Sequence, residues 1–484
     1  MKRREFTSIT AAAAAGLAMG LNTSAAKAPA DGAKRKPNIL FIMTDQQSAT
    51  MMSCTGNKWL KTPALDSLAA SGVRFERAYA CNPVCVPARF SLQTGLMPSA
   101  IGMGENKDSG RSKVTDAMVT QSIGPLLSDA GYETVYGGKV HMPKQMNRVQ
   151  NMAYRMLTRD FRGGLAKACA KFIKGPHKKP FFMFASFMNP HDICYMALND
   201  YHRSIGRAEF RNTDSKICEG VLKKPRAGDV DAFVKKNCPP LPANHNVPPN
   251  EPEAITTRYT SVRQFRNFAR RKWTDRNWRL HRWAYCRLTE MVDAHIGVVL
   301  DALKTAGLED DTVVIFTSDH GDMDSAHKLE HKSILYEEAA RIPFIMSHKN
   351  HIPKGKVDDT HLISNGLDLI CTLCDYAGIE TPKGRSGASV RPLAEGKKVS
   401  AWRDSVVVES QNGRMLRTGR YKYCIYDSGA KREQLIDLTN DPGEMKNLAD
   451  DPEFKTVLDK HRKLLAAWVK QTNDKIGAKY IRAV

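Results

Sequence analysis

The chain is predicted to be an α/β protein: a large, mostly parallel sheet sandwiched by helices, then a smaller C-terminal α+β domain with an antiparallel sheet. Three observations predict this. Through residues 37–350, short apolar runs alternate with helical periodicities, the pattern of strand–helix units around a parallel sheet. The runs are continuous rather than alternating in polarity, as in strands buried on both faces. Near residue 395 the texture changes to shorter runs of antiparallel character closed by one helix.

Taken in order, Asn38-Ile-Leu-Phe-Ile-Met43 is the first buried strand. A helix over 63–71 starts at Pro63, whose missing N–H costs nothing in the first turn. A helix over 120–130 precedes a strand from Tyr132 to Tyr136, and Phe181 to Phe187 is another strand. Residues 192–260 break the pattern with Pro, Asn, Gly and charge, so a long functional or mobile loop is expected there. Tyr285, Leu288, Val292, Ile296, Val299 and Leu303 recur at steps of three and four, marking a long helix that ends at Gly307. Thr312 to Thr317 is a strand, and Asn365 to Gly378 has an amphipathic helical pattern. Val406–Glu409, Arg420–Tyr426 and Gln434–Leu438 read as antiparallel strands, and the closing helix runs from about Pro452 to Lys470. The expected organisation is a large domain over 37–390 and a smaller one over 395–484.

The first residues read as an address. Lys2-Arg3-Arg4-Glu5-Phe6 leads an alanine-rich apolar run from Ile9 to Leu21, the pattern of a twin-arginine-like secretory signal over 1–28. That run is too short to span a bilayer, and no second run of ~20 apolar residues follows. An exported protein, periplasmic or extracellular and without a membrane span, is therefore expected. The formal charge is +22, of which residues 1–28 hold four cations and one anion, leaving about +19. Such an excess draws anionic ligands. Among the 11 cysteines, Cys218 and Cys238 flank an irregular, Pro-rich stretch and are expected to form a bridge. Cys371 and Cys374 form a C-x-x-C, but they lie in a helical pattern with no second pair for zinc, so core packing is expected.

Chemistry concentrates in a few stretches. Cys85-Val-Pro-Ala-Arg89 is a C-x-P-x-R core, extended by Thr94 and Gly95. Asp45-Gln46 follows the first strand, and Ser318-Asp319-His320-Gly321-Asp322 follows the strand over 312–317. Sites in open α/β sheets form beyond the carboxyl ends of strands, so both clusters stand where chemistry is expected. Asp322 reads as a turn residue. Gly137-Gly-Lys139-Val-His141, Asn189-Pro-His191 and His331-Lys332-Ser complete the set.

Together these stretches resemble the signatures of type I sulfatases, and the resemblance runs from about Pro37 to about Asp451. It implies an alkaline-phosphatase-like fold and hydrolysis of sulfate esters. In that family a formylglycine-generating enzyme oxidises the cysteine, and the resulting aldehyde hydrates to a geminal diol. One hydroxyl attacks sulfur and the other later expels the sulfate. Carried over, Cys85 is the nucleophile, and Asp45, Gln46, Asp319, His320 and residue 85 hold one Ca2+, with Mg2+ as the alternative. Many members carry a second Asp where Gln46 stands, so this site has one negative charge fewer. Arg89, Lys139 and Lys332 would stabilise the sulfuryl group. His141 would be the base that collapses the sulfated diol, and His191 the acid that protonates the leaving alcohol, with Lys332 assisting.

The expected substrate is a sulfate ester or sulfamate on a carbohydrate, a sulfated glycan or glycosaminoglycan fragment. A second reading is phosphonate monoester or phosphodiester hydrolysis, because such hydrolases resemble sulfatases and also carry Asp-Gln at the first metal segment. Lys139 in its G-K-x-H context favours sulfate. A third, a basic binding protein without catalysis, requires that Cys85 stay unmodified. Between Arg258 and Arg287 aromatics and cations interleave, with Tyr259, Arg270, Arg271, Trp273, Trp278 and Trp283 among them. Two expectations stand for this stretch: a solvated helix face whose rings pack inward, and a subsite for a sulfated sugar chain. Nucleic acid, although held by similar surfaces, is not an expected partner of an exported enzyme.

Overall fold

The computed structural model describes residues 36–481, so the expected signal lies outside the described residues. In chain order the strands are β1 (Asn38–Asp45), β2 (Val73–Phe75), β3 (Ala78–Tyr79), β4 (Glu133–Gly138), β5 (Arg155–Thr158), β6 (Phe181–Pro190), β7 (Thr312–Ser318), β8 (Phe344–Ser347), β9 (Lys356–Asp358) and β10 (Ile363–Ser364). Eight of them form one sheet in the order β5-β4-β6-β1-β7-β8-β2-β9. All neighbours are parallel except β8, which runs antiparallel to both β7 and β2. The central strand β1 lies in register with β6 and β7, Leu40 facing Met183 on one side and Val314 on the other.

The continuous apolar run in β1 has its reason in two cores. Ile39, Phe41 and Met43 pack on one face against Phe90 and Leu92 of α2 (Cys85–Thr94) and Leu369 and Leu373 of the helix over Asn365–Ala377. Leu40 and Ile42 point the other way, onto Leu65 and Leu68 of α1 (Pro63–Ala70) and Val292 and Ile296 of the long helix over Asp275–Thr305. Each such side chain contributes about 1.5–3 kcal/mol on full burial. Cys371 and Cys374 are buried in the first of these cores, as expected of packing residues.

Three expectations are corrected. Residues 192–260 are not a long loop. They include α5 (Cys194–Ser204), α6 (Thr213–Arg226) and α7 (Val230–Asn237). Met196, Cys218, Leu222 and Val234 on these helices meet Trp278 and Trp283 in a third core, and the Pro, Asn and charged residues occupy linkers and outer faces. Asn212 and Asp229 cap the last two helices through their side chains. Cys218 and Cys238 both sit in this core as free thiols, not as a bridge. The helix expected over 120–130 is broken at Gln121 and Ser122, between Asp116–Thr120 and Ile123–Asp129.

The basic-aromatic stretch forms α8 (Gln264–Lys272) and the first turns of α9 (Asp275–Thr305). Its rings face inward: Tyr259, Trp273, Trp278, Trp283 and Tyr285 are all buried. Arg270 is not a free surface cation either, since it pairs at 2.6 Å with Glu251. Beyond residue 400, β11 (Ser405–Ser410), β12 (Gly413–Thr418), β13 (Tyr421–Tyr426) and β14 (Glu433–Asp437) form the antiparallel sheet, with a helix over Lys455–Gln471 against it. This sheet is tied to the larger part, where the Glu409 N–H donates to the Cys81 carbonyl at 2.8 Å. No helix among the described residues is long and apolar enough to cross a membrane.

Candidate active site

Four adjacent parallel strands, β4, β6, β1 and β7, each deliver a functional group at the carboxyl end. Asp45 closes β1, Asp319 follows β7, Lys139 follows β4 and His191 follows β6. Cys85 is the first residue of α2, whose N-cap is Val84, so the partial positive charge of a helix start lies on the sulfur. Lys332 arrives on an irregular segment after β7 in which His331 and Ser333 both have positive φ.

The groups meet in a buried cluster. Cys85 Sγ lies 3.2 Å from His320 Nε2 and 3.7 Å from Asp45 Oδ1, and Lys332 Nζ stands 3.1 Å from the sulfur. Lys139 Nζ donates to Asp45 Oδ2 at 2.6 Å. Arg89 is wholly enclosed and donates from Nε to Asp319 Oδ2 at 2.9 Å and from Nη2 to Asp45 Oδ2 at 2.8 Å. Its Nη1 donates to the Lys139 carbonyl at 2.9 Å and to Ser186 Oγ at 2.8 Å. Arg89 therefore clamps the two carboxylates and the β4 exit together.

Gln46 has a defined amide orientation. Its Nε2 donates to Asp322 Oδ2 at 2.6 Å, and its Oε1 accepts from Lys332 Nζ at 2.8 Å. A carboxylate on one side and an ammonium on the other leave only one assignment of the two amide atoms. Asp322 does form the expected turn, accepting the Asp324 N–H at 2.8 Å, but it is also buried and sets Gln46. The sequence signal was its place in the Asp319–Asp322 run. Cys194 Sγ, 3.2 Å from Gln46 Oε1, and Ser186 carried no sequence signal at all.

Charge shapes the site. Burial alone would push Asp45 up, but Lys139, His191, Lys332 and Arg89 hold its carboxyl well below the usual range. Asp319 is pushed up by burial and then by the charge of Asp45. Burial and Asp45 would raise the Cys85 thiol, yet Lys332, Lys139 and His320 outweigh them and hold it well below its ordinary value. His191 is pushed well down by burial and by the two lysines, and its Nδ1 is buried without a partner. His141, unlike these groups, is exposed, with φ 44°.

The donor set suits a cation. One ligand atom from each of Asp45, Cys85, Asp319 and His320 lies within 4.8 Å of the others. His320 Nδ1 is 2.9 Å from the Gly321 carbonyl, to which it would donate, leaving the Nε2 lone pair towards the cluster. Two carboxylates drawn together by Arg89 make an oxygen-rich site of the kind hard divalent cations take.

Comparison with known proteins gives the same picture. Residues 37–379 match the sequence profile of the sulfatase family, and residues 325–471 match that of the C-terminal region of N-sulphoglucosamine sulphohydrolase. A Delta 4,5-hexuronate-2-O-sulfatase of Bacteroides thetaiotaomicron is 30% identical over 480 residues, covering 94% of this chain and 93% of that protein. The solved structure of a 2-O GAG sulfatase superposes with a TM-score of 0.77 at 28% identity, covering 93% of this chain and 95% of the other. A phosphonate monoester hydrolase of Agrobacterium radiobacter shares the fold, with a TM-score of 0.68 at 20% identity and cover of 90% and 96%. With a family profile spanning most of its length and a relative 30% identical along nearly all of it, this chain belongs to the sulfatase family and is a sulfuric ester hydrolase.

Proposed function

We propose that the enzyme hydrolyses sulfate esters on a carbohydrate, a sulfated glycan or glycosaminoglycan fragment, using residue 85 as formylglycine and one Ca2+. The observation that carries the reading is the position of Cys85 Sγ between Lys332 Nζ at 3.1 Å and His320 Nε2 at 3.2 Å, above the Asp45–Asp319 pair. That sulfur marks where the oxygens of the diol would stand. The relatives' printed activities, on a hexuronate 2-O-sulfate and on a glycosaminoglycan, support a saccharide.

When bound, the cation supplies Lewis acidity at the nucleophile and at the sulfuryl oxygens. Asp45, Gln46 Oε1, Asp319, His320 and residue 85 would hold it. Lys139 and Lys332 place two positive charges beside the nucleophile, where charge on a transferring sulfuryl group would be stabilised without reorganisation. Burial and the lysines hold His191 neutral, so the proton for the leaving oxygen would come from the Lys332 ammonium, with His191 as its proposed partner in the transfer. Arg89 has four of its five donor positions engaged with protein groups, so its part is to position the carboxylates. His141 remains the proposed base for release of sulfate.

Two measurements test this. Mass spectrometry of the peptide containing residue 85 should show the aldehyde or its hydrate, and Cys85→Ala should lose turnover while keeping its circular dichroism. Sulfate esters of defined oligosaccharides should be cleaved with higher kcat/KM than phosphate mono- and diesters. A phosphodiester or phosphonate ester preferred over every sulfate tested would overturn the reading, and so would activity of Cys85→Ala within tenfold of wild type.

A further inference from the structure

Beside the start of α2 lies a cavity of about 250 Å³. Val84, which immediately precedes Cys85, and Ser333, which immediately follows Lys332, both line it. Its other walls come from the segment before α8 and that helix's first turn, and from the β11–β12 turn. Arg258, Arg263 and Arg266 all reach this space.

Arg266 differs from several other enclosed arginines. Arg89, Arg162, Arg270 and Arg414 each pair with a carboxylate. The Arg266 guanidinium instead lies 4.1 Å from the centre of the Tyr259 ring, and its Nε is buried without a hydrogen-bond partner. The Tyr259 hydroxyl is fixed by the Glu330 carbonyl at 2.6 Å, so the ring is a rigid platform that holds the guanidinium in one plane. The acid in this cavity, Glu105, is engaged by Lys107 at 2.5 Å and stands 3.9 Å from Arg263, while Arg258 stands 3.7 Å from Asp427. The cavity thus offers positive charge and a planar fork, and its carboxylate pairs with Lys107 and Arg263 rather than with Arg266.

We propose that this cavity is a subsite for a second anionic group, a carboxylate or a further sulfate, on the saccharide whose sulfate ester lies at residue 85. Arg266 is the anchor, and Arg263 and Arg258 form the outer rim. The inference rests on the glycan reading above and narrows it: the substrate carries two anionic groups, close enough for one to reach the nucleophile while the other meets Arg266. It also moves the carbohydrate contact away from Arg270, which is tied to Glu251.

The test compares matched substrates in the wild type and in Arg266→Ala. One pair is a sulfated uronate disaccharide and the same compound with its carboxyl reduced to the alcohol. The other is a disulfated hexosamine and its monosulfated counterpart. In the wild type, one pair should show a preference in kcat/KM of about 10–100-fold for the doubly anionic member, the worth of a charge-assisted hydrogen bond. The pair that shows it identifies the anion. In Arg266→Ala that ratio should fall towards one. Arg263→Ala, whose side chain is 54% exposed and removable without disturbing a core, should lower the same ratio by a smaller factor. A wild type indifferent to the second anion in both pairs, or a ratio unchanged in both variants, overturns the subsite and leaves the glycan reading standing. A wild type that cleaves aryl sulfates but none of these saccharides overturns the glycan reading itself.

Discussion

Arg89 is 1% exposed and directs its hydrogen bonds to Asp45, Asp319, Ser186 and the Lys139 carbonyl, yet it sits in the middle of the site. A guanidinium fork that spans both carboxylates keeps Asp45 and Asp319 close in spite of their mutual repulsion. Replacing it with methionine removes the charge at similar length and leaves two desolvated carboxylates facing each other. Breaking a buried pair in this way costs about 3–5 kcal/mol, so Arg89→Met should shift the denaturant midpoint strongly. Arg89→Lys should recover only part, because an ammonium cannot reproduce a planar fork. Lys332→Ala should show the opposite profile, with kcat reduced about 10²–10³-fold, as for single-donor deletions at comparable sites, and a smaller change in stability. Were Arg89→Met to keep its stability and lose only kcat, the arginine would belong among the groups that face the substrate.

At the scale of elements, α1 is held by a neighbour rather than by its own cap. The Thr62 side chain makes no cap bond, and Asp293 of α9 instead accepts the N–H groups of Ala64 at 3.1 Å and Leu65 at 2.9 Å. Asp293→Ala should therefore cost about 1–3 kcal/mol by orphaning both donors. Burial pushes the Asp293 carboxyl from its ordinary 3.8 up to about 6. The folded protein thus keeps this proton to a higher pH than the unfolded chain does. The associated stability is full below 3.8 and is lost as pH rises through 6. An Asn at this position does not titrate, so the melting temperature of the wild type should fall relative to Asp293→Asn between pH 4 and 7. A constant difference across that range would contradict the assignment. The same helix shows what was legible in the sequence. Its apolar repeat from Tyr285 to Leu303 was plain, because one continuous stripe is buried, Val292 to Leu303 of it against the main sheet. Its start at Asp275 was obscured, because there the buried face includes Trp278 and Trp283 and packs on α5, α6 and α7. Those three helices bury few apolar residues each against charged outer faces, so residues 192–260 looked like a loop. The Cys85 helix start and the strand-end carboxylates were legible because short motifs carry them. Asp322, Cys194 and the Arg266 cavity were not, because they acquire meaning only through partners distant in sequence.

For the molecule as a whole, that distance has a thermodynamic consequence. Gln46 and Lys332 are hydrogen-bonded across 286 residues, and the proposed ligands, from Asp45 to His320, come from two strand ends and a helix start far apart in sequence. No unfolded chain would hold such a set together, so a cation that binds here binds the folded state alone. Folding should then gain RT ln(1 + [L]/Kd), about 2.7 kcal/mol at a hundredfold excess over Kd. Ca2+ added to chelator-treated protein should raise the melting temperature by a few degrees in a saturable way, and Mg2+ should do so less, because it demands octahedral geometry that a buried imidazole and a crowded carboxylate pair do not readily supply. Asp319→Asn keeps an oxygen for Arg89 Nε but removes one ligand charge, so it should fold, lose most of the calcium-dependent shift and lose activity with it. A wild type whose melting temperature ignores both Ca2+ and chelator would mean that Arg89, Lys139 and Lys332 alone balance Asp45 and Asp319, and the site would have to work without a cation.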